Sequence, residues 1–350
     1  MKNININSLT IGLNKRPIII AEMSANHNNS LDRALKIVEH AAKCGADIIK
    51  LQTYTPETMT LNIKTKDFII NDKKSLWHKK SLYDLYSIGS TPWEWHRAIF
   101  KKAKEKNITC ISTPFDETAV DFLEKLNSPA YKIASFENTD ALLLKKVART
   151  MKPIILSTGM ASLQELSDAV KIIQNEGNNN LILLKCTSTY PAKAKDSNIS
   201  TIPYMQKIFN CHVGLSDHTH GIGTSIAAVA NGARIIEKHF TLSRKDGGID
   251  SKFSLEPNEF KILVKESKQA FKSIGKIHFG PTLNEKPSLK YRRSLYVSED
   301  VKKGQIINKK NIKNIRPGYG LPSKYIDFII GKKFSKNLKK GTALNWDLIS

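Results

Sequence analysis

A repeated pattern of short apolar runs limits the folds open to this chain more than any other feature of the sequence. Segments with helical spacing of apolar residues, such as 30–45 and 162–177, separate the runs, and several open with Ser or Thr and close near Gly. Parallel strands that are buried on both faces typically have continuous apolar runs of this kind, without strict alternation of apolar and polar residues. The pattern therefore predicts eight strand–helix units. The runs lie at residues 17–23, 46–53, 108–114, 130–135, 153–159, 181–188, 212–217 and 233–240.

Eight strand–helix units over about 260 residues predict an α/β fold of the (β/α)8 TIM barrel type, with a ring of helices around closed strands. An open, doubly wound sheet is the alternative, but it needs a point where the strand order reverses, and the regular repeat favours closure. We assign residues 1–280 to the barrel. Within it, residues 54–107 form an insertion after the second strand, and we expect it to cover or line the pocket.

The last part of the chain predicts a second, smaller domain. The helical spacing breaks at residues 281–290, which indicates a linker. Residues 291–350 contain short alternating segments and the turn sequence Lys-Lys-Gly at 302–304 and again at 339–341. We expect a compact β-rich domain. Because a domain of about 60 residues buries only a small core, we also expect it to lean on a partner surface.

The composition limits the classes of partner that the chain is expected to bind. The formal charge is +23, and most of the basic residues are lysine. No basic run is interleaved with aromatics, so we expect a solvated surface that favours small anions and no nucleic-acid partner. The apolar stretches at the N-terminus are too short for a signal peptide or a membrane span. The four widely spaced cysteines predict free thiols, and together these features predict a cytoplasmic protein without a membrane partner.

Catalytic groups of such barrels lie at the carboxyl ends of the strands, so these ends predict the site. Two lysines and several hydroxyl residues converge there, a combination that suits a phosphate and a carboxylate on one small ligand such as phosphoenolpyruvate. In chain order the ends supply Glu22, Asn26, His27, Lys50, Gln52, Ser112, Thr113, Lys132, Ser135, Glu137, Ser157, Thr158, Gly159, Thr187, Ser188, Tyr190, Ser216, Asp217, His218, Glu237 and His239.

Two of these residues predict a metal site. His218 and His239 follow neighbouring strands, so their imidazoles can reach one point. Two neutral nitrogens, completed by water and substrate oxygens, suit Mn²⁺, Mg²⁺, Co²⁺ or Zn²⁺ acting as a Lewis acid on a carbonyl. The alternative is that each is a hydrogen-bonded core histidine, which holds more readily for one histidine than for two at adjacent strand ends.

Two acidic residues have two possible roles. Glu22 and Glu137 can act as a general base or hold sugar hydroxyls. Alternatively, one of them only pairs with Lys50 or Lys132. The sequence leaves both readings open.

With these residues in place, the chain resembles the sialic acid synthase family over nearly its whole length. The motifs appear in the family's order, and the C-terminal part is similar to its antifreeze-like SAF domain. They are IIIAEMSANHN (18–28), IIKLQT (48–53), ISTPFD (111–116), YKIAS (131–135), PIILSTGM (153–160), CTSTYP (186–191), VGLSDHT (213–219), EKHFT (237–241) and GGIDSKFSLEP (247–257).

The resemblance implies a role for each matching residue. It implies a homodimer in which Arg316 of the SAF domain reaches the active site of the partner barrel, with a divalent metal, most readily Mn²⁺, or else Mg²⁺ or Co²⁺. The positions implied for phosphoenolpyruvate are Lys50, Thr113, Lys132, Ser135, Ser157, Ser188, Tyr190 and Ser216. Those implied for the metal are His218 and His239, and those implied for catalysis or the sugar are Glu22, Glu137, Gln52 and Asp250.

The resemblance also implies a reaction, the condensation of phosphoenolpyruvate with a 2-acetamido sugar. Three features favour the branch that uses 2,4-diacetamido-2,4,6-trideoxy-altrose: the AEMSxNHN form of the first motif, LYDLY with TPWEWH at 82–96, and GGIDSKFSLEP. Ala25 departs from the glycine expected there and adds a methyl group near the sugar. The alternatives are a synthase of N-acetylneuraminic or legionaminic acid and, in another class, a barrel that binds a sugar phosphate without catalysis.

Overall fold

The computed structural model describes residues 1–73 and 75–350, and it divides into two compact units, Met1–Gly275 and Lys276–Ser350. The first unit opens with an antiparallel hairpin of β1 (Ile4–Ile6) and β2 (Leu9–Ile11). Its side chains Ile4, Ile6 and Ile11 are buried. The sequence analysis did not predict this hairpin.

Eight parallel strands follow and close into a barrel in chain order, with the last strand paired to the first. The predicted (β/α)8 barrel is therefore confirmed, and the open sheet is not formed. The strands are β3 (Ile18–Glu22), β4 (Ile48–Thr53), β5 (Thr109–Pro114), β6 (Tyr131–Ile133), β7 (Ile154–Ser157), β8 (Leu181–Cys186), β9 (His212–Asp217) and β10 (Ile235–His239).

Helices connect the strands, and several begin at the predicted caps. Ser30 accepts a hydrogen bond from the backbone of Arg33, and Ser162 forms a capping box with Glu165. The helices of this unit are α1 (Leu31–Lys43), α2 (Pro56–Met59), α3 (Leu82–Gly89), α4 (Trp93–Glu105), α5 (Glu117–Lys125), α6 (Ala141–Ala148), α7 (Leu163–Asn175), α8 (Thr201–Phe209), α9 (Gly223–Ala230) and α10 (Pro257–Ile274).

The hairpin closes the amino-terminal end of the barrel. Its three isoleucines form one cluster with the lower lumen residues of the strands, including Ile18, Ile48 and others on the same face. At the start of β9, His212 Nε2 lies 2.8 Å from the backbone oxygen of Lys2. Because apolar side chains fill this end, polar chemistry is confined to the carboxyl end of the strands.

The segment 54–107 differs from the interpretation that all of it covers the pocket. Helix α4 packs against α1 and β5, and it buries His96, Ile99 and Ala103. Trp93 stacks on Phe122 of α5, with ring centroids 4.5 Å apart. Residues 93–105 are therefore the barrel's own helix between β4 and β5, because their apolar face is needed to cover the strands. The additional segment is 54–92.

The second unit has a small apolar core of its own. Strands β11 (Ser294–Val297) and β12 (Ile312–Ile315) pair antiparallel, isolated bridges extend the β structure, and α11 (Ile326–Ile329) follows. Leu295, Phe334 and Leu344 are among its buried side chains. Within the described residues of both units, no helix combines the length and the apolar character that crossing a membrane requires.

Candidate active site

Four charged side chains meet inside the carboxyl end of the barrel. Lys50 Nζ lies 2.6 Å from Glu22 Oε2 and 4.0 Å from Glu237 Oε1. Lys132 Nζ lies 3.6 Å from the same Glu237 oxygen. The strand register pairs Glu22 directly with Lys50. All four side chains are buried, so their charges act on one another and on any ligand with little screening by water.

Hydroxyl groups extend this cluster. Lys50 Nζ donates to Thr113 Oγ1 at 2.9 Å, and Lys132 Nζ donates to Ser157 Oγ at 2.7 Å. Ser216 Oγ donates to Glu237 Oε1 at 3.2 Å. The lysine and hydroxyl residues predicted at separate strand ends are thus brought together, and they form a buried set of cations and O–H donors suited to an anion.

Gly159 lets two more hydroxyls approach. Its backbone N–H donates to Ser135 Oγ at 3.1 Å. A Cβ atom at Gly159 would lie 2.1 Å from Ser188 Oγ and 2.7 Å from Ser135 Oγ, so any side chain here would displace both groups. The predicted residues Ser135 and Ser188 therefore face each other across a backbone that only glycine keeps open.

Burial sets the protonation of the two glutamates that the sequence singled out. Burial raises the pKa of Glu22 to about 7, although Lys50 opposes the shift. Burial likewise raises the pKa of Glu137 to about 7, and Glu137 Oε2 has no hydrogen-bond partner among the described residues. Near neutral pH both carboxyl groups can gain or lose a proton, as general acid–base catalysis requires.

The other charged groups of the cluster shift one another's pKa values in opposite directions. Burial opposes the charge of Lys50, but Glu22 and Glu237 outweigh it and raise the pKa of Lys50. Burial also opposes ionisation of Glu237, yet Lys132 and Lys50 outweigh it and lower the pKa of Glu237. For Lys132 burial prevails and lowers the pKa. Glu237 therefore acts as the shared counter-ion of both lysines.

The two predicted metal ligands lie side by side. The ring centroids of His218 and His239 are 5.3 Å apart. His218 Nδ1 lies 3.0 Å from the backbone oxygen of Thr187, so a ligand would approach this ring through Nε2. In the described part of the chain His239 Nδ1 is buried without a hydrogen-bond partner, and burial, reinforced by His218, holds the pKa of His239 well below its usual value.

These observations fit a divalent cation. Ligand histidines must be neutral, and an orphaned buried ring nitrogen is what such an ion would satisfy. Within residues 1–73 and 75–350 no group of three or more His, Cys, Asp or Glu side chains is arranged to hold a metal. His218 and His239 would therefore supply two ligands, and water or substrate oxygens would supply the rest.

An aromatic wall lines one side of this pair. The Tyr190 ring lies 4.5 Å from His218, and the Phe253 ring lies 4.8 Å from His239, centroid to centroid. Trp77, from the additional segment, continues the wall 6.1 Å from Tyr190. A cavity of about 340 Å³ lies beside it, lined by Trp77 and by Leu76, Lys80, Ile88, Gly248, Ile249 and Lys252.

The remaining predicted residues have different surroundings. Asp250 is buried, and its Oδ2 accepts from Ser24 Oγ at 2.5 Å and from the backbone N–H of Ala25 at 3.4 Å. Gln52 is half-buried on β4, and Arg316 is exposed directly after β12 in the second unit. Ala25 is buried, and its methyl group faces the Cα of Gly89.

Two residues of the site were given no role by the sequence analysis. Glu237 lies two positions before His239, so both point to the same side of β10, a signal that strand alternation alone provides. Cys186 Sγ lies 3.9 Å from His218 Nδ1. Although burial opposes ionisation, the contact with His218 lowers the pKa of Cys186 to about 6. All four cysteines are free, as predicted.

A closed βα barrel with buried lysines, hydroxyls and paired histidines at the strand ends, followed by a small β unit, defines a class of two-unit barrel proteins. Comparison with known proteins places the chain within that class. The NeuB family profile matches residues 37–279, and the SAF domain profile matches residues 292–350. The chain belongs to the NeuB family and carries a SAF domain, which confirms the resemblance noted in the sequence.

Individual relatives agree with this assignment. The chain is 46% identical to a pseudaminic acid synthase of Campylobacter jejuni, over 94% of this chain and 96% of that protein. It is 45% identical to a pseudaminic acid synthase of Helicobacter pylori, over 95% and 97%. Among solved structures, the N-acetylneuraminic acid synthetase of Leptospira borgpetersenii in complex with citrate is similar, with a TM-score of 0.73, 32% identity, and coverage of 83% of this chain and 96% of that one.

Proposed function

We propose that this protein is a pseudaminic acid synthase. It condenses phosphoenolpyruvate with 2,4-diacetamido-2,4,6-trideoxy-altrose to give pseudaminic acid and phosphate, with cleavage of the C–O bond. The observation that carries the proposal is the buried set of Lys50 and Lys132, each bonded to a hydroxyl and both sharing Glu237. Relatives that bear this name are 45 and 46% identical to the chain, whereas the solved N-acetylneuraminic acid synthetase is 32% identical.

The lysine–hydroxyl set is the proposed phosphoenolpyruvate site. Lys50 and Lys132 neutralise its phosphate and carboxylate, and the residues around them donate hydrogen bonds to the oxygens. Because these groups are already oriented before the substrate arrives, little reorganisation is needed during the reaction. The hydroxyl residues assigned to this role are Thr113, Ser135, Ser157, Ser188, Tyr190 and Ser216.

Carbon 3 of phosphoenolpyruvate attacks the aldehyde carbon of the open-chain sugar, whose oxygen becomes a hydroxyl. Positive charge develops at carbon 2, where water adds. We assign Glu22 to accept a proton from this water, because its pKa of about 7 allows it to do so near neutral pH. The tetrahedral intermediate then releases phosphate. Glu137, Gln52 and Asp250 are assigned to the sugar side.

His218 and His239 would hold a divalent cation, with Mn²⁺ as the first choice and Mg²⁺ or Co²⁺ as alternatives. Such an ion supplies Lewis-acid polarisation of a carbonyl when bound. The chain's own contribution is to hold the two imidazoles close together and to keep His239 neutral, since burial lowers the pKa of His239.

The aromatic wall supports the choice of sugar. A 6-deoxy sugar with two acetamido groups presents methyl groups, and the cavity beside Trp77 is lined by Leu76, Ile88 and Ile249. Apolar side chains favour methyl groups over hydroxyls, since a buried hydroxyl without a partner is costly. Sugars of the N-acetylneuraminic acid branch carry a hydroxyl at carbon 6.

We also propose a homodimer in which Arg316 completes the active site of the partner subunit, in a cytoplasmic enzyme. Ile277 and Phe279 are each 92% exposed and Leu283 is 79% exposed, which is unusual for a segment without a partner. The four free cysteines fit a reducing compartment.

One assay separates the candidate functions. The protein is incubated with Mn²⁺, phosphoenolpyruvate and each candidate sugar, and phosphate release is followed, with His239→Ala as the matched inactive control. Release with the diacetamido-trideoxy-altrose alone supports the proposal. Release with N-acetylmannosamine alone or with the legionaminic acid precursor alone would replace it by a related synthase. If no phosphate is released with any of the sugars tested, the remaining candidate is the non-catalytic barrel that binds a sugar phosphate.

A further inference from the structure

Behind the two histidines the barrel carries a charged pair that faces away from the lumen. Asp217 ends β9, and the strand register pairs it directly with Lys238 of β10. Lys238 Nζ lies 2.9 Å from Asp217 Oδ2, and the two side chains are 0% and 1% exposed. Ser225 of α9 donates to Asp217 Oδ2 at 2.6 Å, which places the pair on the helix side of the strands.

The same pair fixes the backbone on both sides of His218. Asp217 Oδ1 accepts from the backbone N–H of Thr219 at 2.8 Å and from its hydroxyl at 2.7 Å. Lys238 Nζ donates to the backbone oxygen of Thr219. The residues before and after His218 are therefore tethered, and the lysine that tethers them immediately precedes His239. One ion pair thus joins the two backbone segments that carry the imidazoles.

Stability alone is a poor reason for this pair. Removing two charges from water costs about as much as their attraction returns, so an apolar pair of similar size usually serves as well. The next outward pair on the same strands is Leu215 with Ile236, which shows that apolar side chains fit this layer. A charged pair takes the place of apolar side chains only at the level of His218 and His239. Fixing register and orientation is the better-attested use of a buried polar pair.

We propose that Asp217 and Lys238 are positioning residues that hold His218 and His239 at the separation needed to bind one divalent cation. This inference rests on the metal site of the proposed function. It assigns the two residues no contact with substrate. Supporting groups behind a metal ligand commonly change metal affinity by about 10- to 100-fold when they are replaced.

The test measures Mn²⁺ binding to the full-length protein without substrates, by the electron paramagnetic resonance signal of free Mn²⁺. The variant is Asp217→Asn with Lys238→Met, which removes both charges and leaves neither one unpaired. The control is Thr53→Val. It breaks a buried link between β4 and β5, where Thr53 Oγ1 lies 2.6 Å from Ser112 Oγ and 2.8 Å from His96 Nε2, on strands that pair with neither β9 nor β10.

We expect the double variant to bind Mn²⁺ at least tenfold more weakly, with its melting temperature near that of the wild type, while the control binds normally. Pulsed spectra of bound Mn²⁺ should show coupling to two imidazole nitrogens in the wild type and to fewer in the variant. If the double variant proves too unstable to measure, Asp217→Asn is tested against the same tenfold threshold.

Two results would overturn the inference, and they are distinguishable. Wild-type affinity in a folded variant would reject the positioning role and leave the metal site standing. No Mn²⁺ binding by the wild type would reject the metal site and this inference together, while phosphate release in the sugar assay would still report on the condensation itself.

Discussion

Replacing Lys132 by methionine tests whether the lysine–hydroxyl set binds phosphoenolpyruvate. Met keeps most of the volume of the side chain and removes the ammonium group that donates to Ser157 Oγ at 2.7 Å and lies 3.6 Å from Glu237. A hydrogen bond to a charged group contributes about 1.5–3 kcal/mol. At about 1.4 kcal/mol per factor of ten, kcat/KM for phosphoenolpyruvate should fall about 10- to 100-fold.

The same change has a cost in stability that the structure limits. Leaving a buried charge without any partner costs about 3–5 kcal/mol. Glu237 keeps Lys50 at 4.0 Å and the hydroxyl of Ser216 at 3.2 Å, so we expect the free energy of unfolding to fall by about 3 kcal/mol or less. Without Lys132, which lowers the pKa of Glu237 in the wild type, that pKa should rise.

The assay is steady-state phosphate release with phosphoenolpyruvate varied at saturating sugar, alongside denaturant unfolding. Lys185→Met is the matched control, because Lys185 lies on β8, two strands away from Lys132, and its Nζ donates to the backbone oxygen of Cys186 instead of joining the charge cluster. A folded Lys132→Met protein with unchanged kcat/KM for phosphoenolpyruvate would refute the assignment of the site. An equal loss in the control would show that the effect is not specific.

Three further outcomes are expected. Burial raises the pKa of Glu22 to about 7, and the carboxylate is the active form, so kcat/KM should rise with pH through about 7. In Glu22→Gln this rise should disappear. If the variant still shows the rise, another group accepts the proton. Ile6→Ala should lower the free energy of unfolding by about 2–5 kcal/mol, against about 0.5 for exposed Ile262→Ala; equal effects would mean that the hairpin does not seal the core. Mixing Arg316→Ala chains with Lys132→Met chains should raise the activity to about a quarter of the wild-type value if subunits share sites, and should give no gain over the separate variants if Arg316 serves its own chain.

The barrel could be predicted from the sequence because its signal is repeated. Each apolar run alone fits a strand or a buried helix, but eight of them at similar spacing with helical segments between them leave few arrangements. The hairpin of β1 and β2 gave no comparable signal, since two strands of three residues are too short for a pattern to emerge. The sequence analysis includes helix α4 in the insertion because the whole segment 54–107 follows the second strand, on the side where barrels carry their active sites, whereas Trp93 of this helix packs on Phe122 in the outer layer.

The candidate site was predictable to the extent that strand ends converge. Lys50, Lys132 and the hydroxyls near them come together because parallel strands deliver their last residues to one layer. The shared contact of Glu237 with both lysines depends on distances that a sequence does not contain. Likewise, the bonds from Asp217 and Lys238 to Thr219 depend on which way each side chain leaves its strand.

The closed amino-terminal end of the barrel affects the order in which substrates bind and products leave. With Ile4, Ile6 and Ile11 packed across that end, the charged layer forms the floor of the space at the carboxyl end of the barrel. If phosphoenolpyruvate occupies the floor and the sugar lies above it, the sugar blocks the exit of the smaller substrate. Substrates must then load in a fixed sequence, and the nine-carbon product must leave before phosphate bound at the floor can follow. Product inhibition patterns in steady-state kinetics would report this sequence directly.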